Sequence, residues 1–242
     1  TLADLEAGVA ALGLPCVLKT RRLGYDGRGQ RVLKKRSDVG PAWEALGSVP
    51  LILEGFVKFD REVSIVGARS TRGETRAYPI VTNTHREGIL RVTVAPTRDA
   101  RLQRAAEGHL RRVLDHFGYA GVLTIEFFVA GGRLIANEMA PRVHNSGHWT
   151  IEGAVTSQFE NHLRAILGLP LGDTSPVGHA AMVNYIGTMP DRDRVLALPG
   201  AHHHDYGKAP RANRKLGHCT VVAPTAARRD AVLRQLLRRV PR

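Results

Sequence analysis

The sequence predicts an α+β protein in which antiparallel strands form the sheets and amphipathic helices pack against them. Two apolar runs, residues 121–129 and 133–139, flank the turn formers of residues 130–132, which is typical of a β-hairpin. Between residues 62 and 94, shorter runs alternate apolar and polar positions as half-buried strands do. Apolar residues recur at helical spacing over residues 99–117, with arginines between them. Together these three observations give the predicted fold class.

Length and composition are those of a soluble globular protein. The chain has 242 residues, 43% of them hydrophobic and 24% charged, enough for one large or two modest domains. No apolar run approaches the roughly 20 residues that span a bilayer, and the N-terminus lacks a signal pattern, so we expect a cytoplasmic protein without a membrane partner. Cys16 and Cys219 lie in apolar runs without metal-ligand spacing, which predicts buried, reduced thiols.

The chain is strongly basic. Its 35 Lys and Arg residues exceed its 22 Asp and Glu residues by 13. This balance suggests polyanionic partners, nucleic acid included. Aromatic residues make up only 5% of the chain, however, too few for an obvious base-stacking surface. A phosphate-rich pocket for a small molecule, together with a solvated basic helix over residues 226–240, explains the charge at least as well.

The first segments predict a helix and then a strand that ends in a lysine. Thr1 can cap a helix that ends at Gly13. The apolar run 15–18 then leads to Lys19 and to a loop with glycines at positions 24, 27 and 29. Glycine lets peptide N–H groups approach a ligand closely, so such a loop can surround phosphate oxygens beside the lysine charge. An ordinary hairpin loop with a solvated lysine is the alternative.

The amino-acid sequence of this loop is distinctive. Lys19-Thr20-Arg21, followed by Gly-Tyr-Asp-Gly-Arg-Gly-Gln, resembles the nucleotide-binding loop of the ATP-grasp ligases that make N5-carboxyaminoimidazole ribonucleotide. The resemblance implies that Lys19 holds phosphate oxygens of ATP. It implies that the loop residues also bind ATP: Gly24, Tyr25, Asp26, Gly27, Arg28, Gly29 and Gln30. It further implies that Tyr25, Asp26 and Arg28 line the pocket between ATP and the amine substrate. Leu23 departs from the family, in which a second glycine often stands at this position.

Two further segments are similar to the family's adenine and ribose sites. A strand is predicted at residues 51–53. The resemblance places the four residues after it against the adenine: Glu54, Gly55, Phe56 and Val57. It also implies that Glu62 binds the ribose hydroxyls and that His85 lies at the nucleotide. From spacing alone, the first segment is an ordinary strand-to-loop transition and His85 is a solvated loop histidine.

Two glutamates lie within the predicted hairpin. Glu126 and Glu138 share a face, because a hairpin centred on Gly132 sets them directly opposite and a register two residues away sets them diagonally. Like charges that face each other in an apolar sheet are destabilising, and a divalent cation removes the conflict. Pairing of one carboxylate with Arg142 is the alternative. The resemblance implies that Glu126 and Glu138 hold Mg²⁺, or Mn²⁺ in its place, and that Asn137 and Glu138 contact ATP.

The segment after the hairpin, residues 140–150, matches the family over the string APRVHNSGHWT. The resemblance implies that Arg142 neutralises a transferring phosphoryl group and that His144 acts as a base or hydrogen-bond donor. A structural hydrogen bond is the ordinary alternative for either residue alone. Thr150 is expected to cap a helix that ends at Gly168. The apolar positions of that helix are expected in the core: Val155, Phe159, Leu163, Ile166 and Leu167.

A basic loop between two predicted strands is the last candidate site. The strand before it contains three histidines, residues 202–204, which alternation would split between two faces rather than gather at a metal. The loop has four cations: Lys208, Arg211, Arg214 and Lys215. A solvated loop or a nucleic-acid contact would explain them, whereas the resemblance implies a substrate-phosphate site, with Lys208 and Arg28 also acting in catalysis. Asn213 stands where the family has glycine, and asparagine tolerates left-handed dihedrals.

The resemblance covers nearly the whole chain and implies an ATP-grasp fold with a small β-rich C-terminal domain. An antiparallel lid subdomain is expected at residues 1–84 and a larger antiparallel sheet with helices, which holds Mg²⁺, at residues 85–173. The substrate-phosphate domain is expected at residues 174–242. In the family a Rossmann-like domain precedes this region, so the chain is expected to be truncated.

The implied activity is a carboxylation. ATP, bicarbonate and 5-aminoimidazole ribonucleotide would give N5-carboxyaminoimidazole ribonucleotide, ADP and phosphate, a step of purine biosynthesis. No nucleic-acid partner is expected, and the full-length protein is expected to be a homodimer. The rival hypotheses are another ATP-grasp carboxylate-amine ligase, a basic nucleic-acid-binding module and an inactive remnant.

Overall fold

The structure, a computed structural model, describes most of the chain: residues 1–22, 29–47 and 49–241. Helices and antiparallel strands are mixed along it, which confirms the predicted α+β class. The chain divides into two compact units. The first is Thr1–Lys58 with Glu87–Ile89, and the second is Phe59–Arg86 with Leu90–Arg242.

In the first unit, the described residues form two helices and a three-stranded antiparallel sheet. In chain order these elements are α1 (Leu2–Leu12), β1 (Cys16–Thr20), β2 (Gln30–Leu33), α2 (Val39–Leu46) and β3 (Leu51–Gly55). β1 is the central strand. The Thr1 cap is present, since its hydroxyl accepts from the backbone N–H of Asp4 in a capping box. Apolar residues of both helices pack with Cys16, Leu18 and Leu33 into a small core.

In the second unit, the described residues build a nine-stranded sheet. Its strands are β4 (Arg61–Arg69), β5 (Thr75–Ala77), β6 (Val81–Arg86), β7 (Ile89–Ala95), β8 (Gly121–Ala130), β9 (Arg133–Ala140), β10 (His179–Ile186), β11 (Ala201–Asp205) and β12 (Lys215–Ala223). The spatial order is β11-β12-β10-β7-β6-β4-β8-β9, and β5 pairs with β4. Because β10, β11 and β12 belong to this same sheet, it continues across residue 173. The predicted boundaries at residues 84 and 173 stay a prediction.

Helices cover both faces of this sheet. They are α3 (Ala100–His116), α4 (Thr150–Gly153), α5 (Gln158–Ile166), α6 (Arg192–Leu196) and α7 (Ala226–Leu237). α3 packs on Val63, Ile65 and Ile125, and α7 packs on the neighbouring strands β10 and β12. Side chains alternate along a strand, so Ser64 and Glu126 face the opposite side of the sheet from α3. The site described below lies on that opposite side.

The prediction for the helix after Thr150 is wrong in two respects. Thr150 begins only the four-residue α4, and the longer α5 begins after Ser157, whose hydroxyl caps it. The apolar positions expected in the core are 38–68% exposed: Val155, Phe159, Leu163, Ile166 and Leu167. The buried side of α5 is instead polar, with Gln158 and Asn161 fully buried. Both amides are hydrogen-bonded, which lets them occupy positions that apolar spacing alone assigns to the opposite face.

Other expectations for the fold are met. Cys16 and Cys219 are buried free thiols. In β11, His203 contacts Tyr185 at 3.0 Å while His204 stacks on His218, so the histidines are split between two faces. Within the residues that the structure describes, no helix has both the length and the apolar character that a membrane span requires.

Candidate active site

The β8–β9 hairpin turns between Gly131 and Gly132. Both glycines have positive φ, 54° and 71°, as a two-residue type I′ turn requires and as glycine readily adopts. The turn pairs Ala130 with Arg133. The hairpin is therefore not centred on Gly132, as the sequence analysis assumed, but lies half a residue earlier.

A β-bulge on β9 brings the two glutamates face to face. The register that the turn sets would place Glu126 opposite Asn137 and would send Glu138 to the other face of the sheet. One extra residue on β9 shifts the register between Glu126 and Phe127, so that Glu126 pairs directly with Glu138. The expected opposition of the two acids is observed, but the bulge rather than the turn produces it.

The two acids differ in burial. The Glu126 side chain is 13% exposed, whereas Glu138 is exposed on β9, at the end of the sheet. Burial raises the pKa of Glu126 to about 7. The positive charges of His85 and Lys215 oppose this rise, and the negative charges of Glu138 and Glu62 add to it. The pair therefore has negative charge that its surroundings leave only partly compensated, which favours binding of a cation.

His144 brings a ring nitrogen to the acid pair. One potential ligand atom from each of Glu126, Glu138 and His144 lies within 4.8 Å of the others, and His144 Nε2 is 3.7 Å from Glu126 Oε1. Burial, together with the positive charges of Arg142 and Lys215, lowers the pKa of His144 to about 3. A neutral imidazole thus lies beside two carboxylates. Carboxylate oxygen is the preferred protein ligand of Mg²⁺, and imidazole suits softer metals.

A chain of buried hydrogen bonds leads to the other nitrogen of this ring. Thr93 Oγ1 donates to Asn83 Oδ1, Asn83 Nδ2 donates to Ser64 Oγ, and Ser64 Oγ donates to Ser146 Oγ, each at 2.9 Å. Ser146 Oγ lies 2.9 Å from His144 Nδ1, and the Ser146 backbone N–H donates to the same nitrogen at 3.3 Å. These polar residues form no sequence motif and were not among the predicted site residues. Only polar residues at inward-facing strand positions could have indicated them.

Gln158 fixes the loop that carries His144. Its Oε1 accepts from the His144 backbone N–H at 3.0 Å, and its Nε2 donates to the His144 carbonyl at 2.8 Å and lies 2.9 Å from His148 Nδ1. Thr150 Oγ1 accepts from the Gln158 backbone N–H and donates to the Gly147 carbonyl. A Cβ at Gly147 would lie 2.5 Å from Gln158 Oε1, so the loop approaches α5 more closely than any larger residue permits.

Glu62 and His85 form a second pair on the same side of the sheet. His85 Nδ1 lies 2.8 Å from Glu62 Oε2, and the two side chains are 17% and 21% exposed. Burial by itself would lower the pKa of His85, but the hydrogen bond to Glu62 and the charges of Glu126 and Glu62 raise it above its ordinary value. His85 is therefore a hydrogen-bonded, partly buried residue rather than a solvated one. Its proposed place at the nucleotide is untested.

Two predicted cations influence Glu126 or His144. Lys215, the first residue of β12, is only 9% exposed. Its positive charge lowers the pKa values of Glu126 and His144. Arg142 is exposed and donates to the carbonyl of Val143 at 3.0 Å, and its charge also lowers the pKa of His144. Lys215 therefore acts on both Glu126 and His144, whereas the charge of Arg142 acts on His144.

The rest of the basic loop is more open. Lys208 and Arg211 are exposed, and the Lys208 ammonium lies 5.0 Å from the centre of the Tyr206 ring. Arg214 donates to a carbonyl of its own loop at 3.2 Å. Asn213 has φ of 60°, so the left-handed conformation expected at this position is present. The structure gives Lys208, Arg211 and Arg214 no contact with the acid pair.

The first unit holds the predicted phosphate lysine and adenine acid in one ion pair. Lys19 Nζ on β1 lies 2.7 Å from Glu54 Oε2 on β3. Lys19 pairs across β1 and β2 with Gln30, and Gly29 has φ of 75°. The other predicted residues of this loop lie outside the described residues: Gly24, Tyr25, Asp26, Gly27 and Arg28.

The predicted adenine segment leaves β3 at Gly55. The Phe56 side chain is 48% exposed, and its backbone N–H donates to the Pro15 carbonyl at 3.3 Å. Val57 is partly buried and lies outside any strand. An exposed aromatic ring directly after a strand is compatible with contact to a flat ligand.

Comparison with known families and proteins agrees with this geometry. The profile of the ATP-grasp domain matches residues 1–159. The profile of the phosphoribosylaminoimidazole carboxylase C-terminal domain matches residues 180–231. The resemblance recognised in the sequence is therefore confirmed over both parts of the chain.

Individual relatives and solved structures agree with these two family matches. N5-carboxyaminoimidazole ribonucleotide synthase of Pseudomonas aeruginosa is 58% identical over 219 residues, which are 90% of this chain and 61% of that protein. The crystal structure of the synthetase of that name from Thermus thermophilus has 51% identity and a TM-score of 0.92, and the match covers 99% of this chain and 66% of that one.

A third match is a structure with bound ligands. The Aspergillus clavatus N5-carboxyaminoimidazole synthase, solved in complex with ADP and 5-aminoimidazole ribonucleotide, has 32% identity and a TM-score of 0.91 over 98% of this chain and 65% of that one. The chain spans about 60% of the length of the curated relatives it matches. The chain belongs to the ATP-grasp family, and its relatives within that family are N5-carboxyaminoimidazole ribonucleotide synthases.

Proposed function

We propose that the protein uses ATP to carboxylate 5-aminoimidazole ribonucleotide with bicarbonate in purine biosynthesis. The products would be N5-carboxyaminoimidazole ribonucleotide, ADP and phosphate. The direct pairing of Glu126 with Glu138 carries this proposal, because keeping both facing carboxylates ionised has a free-energy cost that a bound cation removes. The names of the relatives, and the ligands in the Aspergillus clavatus structure, support the choice of substrates.

The acid pair is proposed to bind Mg²⁺ together with ATP. Glu126 and Glu138 supply carboxylate oxygens. Asn137, the extra residue of the bulge, directly precedes Glu138 on β9. When bound, Mg²⁺ would neutralise phosphate charge during transfer of the phosphoryl group. Glu62 and His85, which lie on the same side of the sheet, are proposed to contact the ribose end of the nucleotide.

We also propose roles in ATP binding for residues of the first unit. Lys19 would hold phosphate oxygens and Glu54 would accept from the adenine amino group, with Gly55, Phe56 and Val57 beside the ring. Lys19 Nζ and Glu54 Oε2 lie 2.7 Å apart, so the two side chains are neighbours on the sheet of this unit. By resemblance to the family, residues 24–30 would bind ATP, and Tyr25, Asp26 and Arg28 would line the pocket between ATP and the amine.

The reaction would proceed in two balanced steps. A bicarbonate oxygen attacks the γ-phosphorus of ATP, ADP leaves, and carboxyphosphate forms. The amine nitrogen of the substrate then attacks the carboxyl carbon, phosphate leaves, and the amine loses a proton. Arg142 and Lys215 would offset the developing negative charge, and the neutral His144 would contact the reacting oxygens. Lys208, Arg211, Arg214 and Lys215 would bind the phosphate of the ribonucleotide, and Lys208 and Arg28 would also assist the chemistry.

The whole protein is further proposed to work as a cytoplasmic homodimer. The exposed apolar residues of α5 and its flanks support an interface of this kind, because an apolar stripe of Phe159, Leu163 and Ile166 is unfavourable in water. Light scattering of the purified chain after gel filtration would measure its mass. A monomer at micromolar concentration would count against the proposal for this part of the chain.

The test of the proposed activity is ADP formation by the purified chain. We expect release of ADP that requires both bicarbonate and 5-aminoimidazole ribonucleotide, and loss of that activity in the Glu126→Gln, Glu138→Gln double variant. Glu160→Gln is a matched control, since Glu160 is an exposed glutamate paired only with Arg164 on α5. ADP release triggered by a different acid and amine would identify another ATP-grasp ligase. Salt-dependent binding to duplex DNA without ATP hydrolysis would favour a nucleic-acid-binding module.

A further inference from the structure

The buried hydrogen bonds behind His144 can run in one direction only. Hydroxyl and amide groups both donate and accept, so a chain of them can usually be reversed throughout. Here one member is fixed, because a peptide N–H can only donate, and the N–H of Ser146 points at His144 Nδ1 at 3.3 Å. Nδ1 therefore accepts. A neutral imidazole with an accepting Nδ1 carries its proton on Nε2.

Every other group in this series of hydrogen bonds fits this direction. With Nδ1 accepting, Ser146 Oγ donates to it at 2.9 Å and accepts from Ser64 Oγ. Ser64 in turn accepts from the Asn83 amide, whose carbonyl oxygen is occupied by the Thr93 hydroxyl. The four side chains are at most 5% exposed, so water does not compete for these positions.

We propose that Thr93, Asn83, Ser64 and Ser146 are positioning residues that hold His144 as the Nε2–H tautomer. Nε2 is the nitrogen that faces the acid pair, 3.7 Å from a Glu126 oxygen. It therefore presents a proton there and no lone pair. His144 is then a hydrogen-bond donor to the site, and neither a metal ligand nor a base through that nitrogen.

Only the consequence for catalysis rests on the proposed function. If ATP is split at the acid pair, an N–H fixed in position can hold an oxygen of the transferring phosphoryl or carboxyl group as its negative charge grows. The proton that leaves the substrate amine would then go to a group other than His144.

The tautomer can be measured without substrate, metal or turnover. In protein whose histidine rings carry ¹⁵N, protonated and unprotonated ring nitrogens are distinguished by their chemical shifts in a long-range proton–nitrogen spectrum. A His144→Gln sample identifies the signals that belong to His144. We expect Nε2 to be protonated and Nδ1 unprotonated near neutral pH. A protonated Nδ1, or a mixture of the two tautomers, would overturn the proposal.

Asn83→Asp provides a second test, because it reverses the chain with almost no change of shape. A carboxylate cannot donate, so Ser64 must donate to it and Ser146 must then donate to Ser64. His144 Nδ1 would thereby lose its hydroxyl donor and would face an oxygen that accepts. The Ser146 backbone N–H still donates to Nδ1 in this variant, so we expect the Nδ1–H tautomer to gain population beside the Nε2–H tautomer.

Asn161→Asp is the matched control. Asn161 is fully buried in the same unit, but its partners are Tyr78 and Gly172, outside the chain of hydrogen bonds. We expect its spectrum to keep the His144 signals of the unmodified protein. Unchanged signals in the folded Asn83→Asp variant, or a tautomer change in the control, would contradict the proposal. If Asn83→Asp does not fold, the spectrum of the unmodified protein still decides.

Activity gives an independent reading. We expect Asn83→Asp to lower kcat at least about tenfold, in keeping with the loss of one fixed donor, while KM for ATP stays the same. A chain that lacks the proposed activity but shows the expected tautomer change would support the positioning role and count against the proposed function alone. A change in KM for ATP without a change in kcat would indicate a structural role instead.

Discussion

Replacing Glu126 with glutamine should stabilise the metal-free protein above pH 7 and leave its stability almost unchanged below pH 4.5. The reason is the burial of this carboxylate, whose side chain is only 13% exposed and which faces a second carboxylate across β8 and β9. Glutamine has nearly the same shape and does not ionise. The substitution therefore isolates the cost of holding a negative charge at this position.

The magnitude follows from the pKa. Burial raises the pKa of Glu126 from its ordinary value of 4.5 to about 7. Between these values the folded protein retains a proton that the unfolded chain releases, so the free energy of unfolding falls as pH rises from 4.5 to 7. At about 1.4 kcal/mol for each pH unit, the loss amounts to about 3 kcal/mol above pH 7. Glu126→Gln should avoid that loss.

Urea unfolding in the presence of EDTA measures the effect. The chain has two tryptophans, and Trp149 is 1% exposed in the core of the unit that contains Glu126. A Trp43→Phe background makes Trp149 the only tryptophan, so its fluorescence reports on this unit. Unfolding curves above pH 7 and below pH 4.5 give the two differences in free energy.

Glu160→Gln serves as the control, because exposed ion pairs such as Glu160 with Arg164 contribute only a few tenths of a kcal/mol. It should change stability little at either pH. A Glu126→Gln variant whose gain is the same at both pH values would refute the reasoning, since the gain would then come from packing and not from ionisation.

Three further predictions address other features of the structure. Deletion of Asn137 should remove the extra residue and leave Glu138 opposite Glu126 in a regular register, so Mg²⁺-dependent ADP binding in calorimetry should be kept, as it should in Asn137→Gly; loss of binding in the folded deletion variant alone would contradict the bulge argument. Gly147→Ala should force the Gln158 amide aside and lower the free energy of unfolding by about 1–3 kcal/mol in urea titrations; unchanged stability would show that the loop can yield. Lys19→Met should weaken ADP binding about tenfold or more, and unchanged affinity in calorimetry would show that Lys19 does not bind the phosphates.

Elements with a strong local signal could be predicted from the sequence. α3 has apolar residues at helical spacing. It begins after Asp99, whose side chain accepts a hydrogen bond from the Leu102 backbone N–H. The β8–β9 hairpin has two apolar runs around two glycines. The opposition of its two acids was predicted from a hairpin centre that is half a residue off, and the bulge on β9 compensates for that difference. The family resemblance then supplied candidate roles that no spacing could have given.

Features that depend on distant contacts could not be predicted. Ser64 and Ser146 are 82 residues apart in the chain yet share a hydrogen bond, and neither stands in a recognisable pattern. The burial of Gln158 and Asn161 on α5 depends on partners that only the folded chain supplies. In such cases the sequence indicates a helix or strand correctly but gives no reason to choose its polar side as the inner one.

Because β9 has one extra residue, whether the two acids face each other depends on whether the number of residues between them is odd or even. A loop between Glu126 and Glu138 can grow or shrink by two residues and keep both carboxylates on one side of the sheet. A change of one residue would separate them, unless a strand irregularity appeared or vanished at the same time. Any redesign of this hairpin must therefore first fix the number of residues between Glu126 and Glu138 and only then their identities.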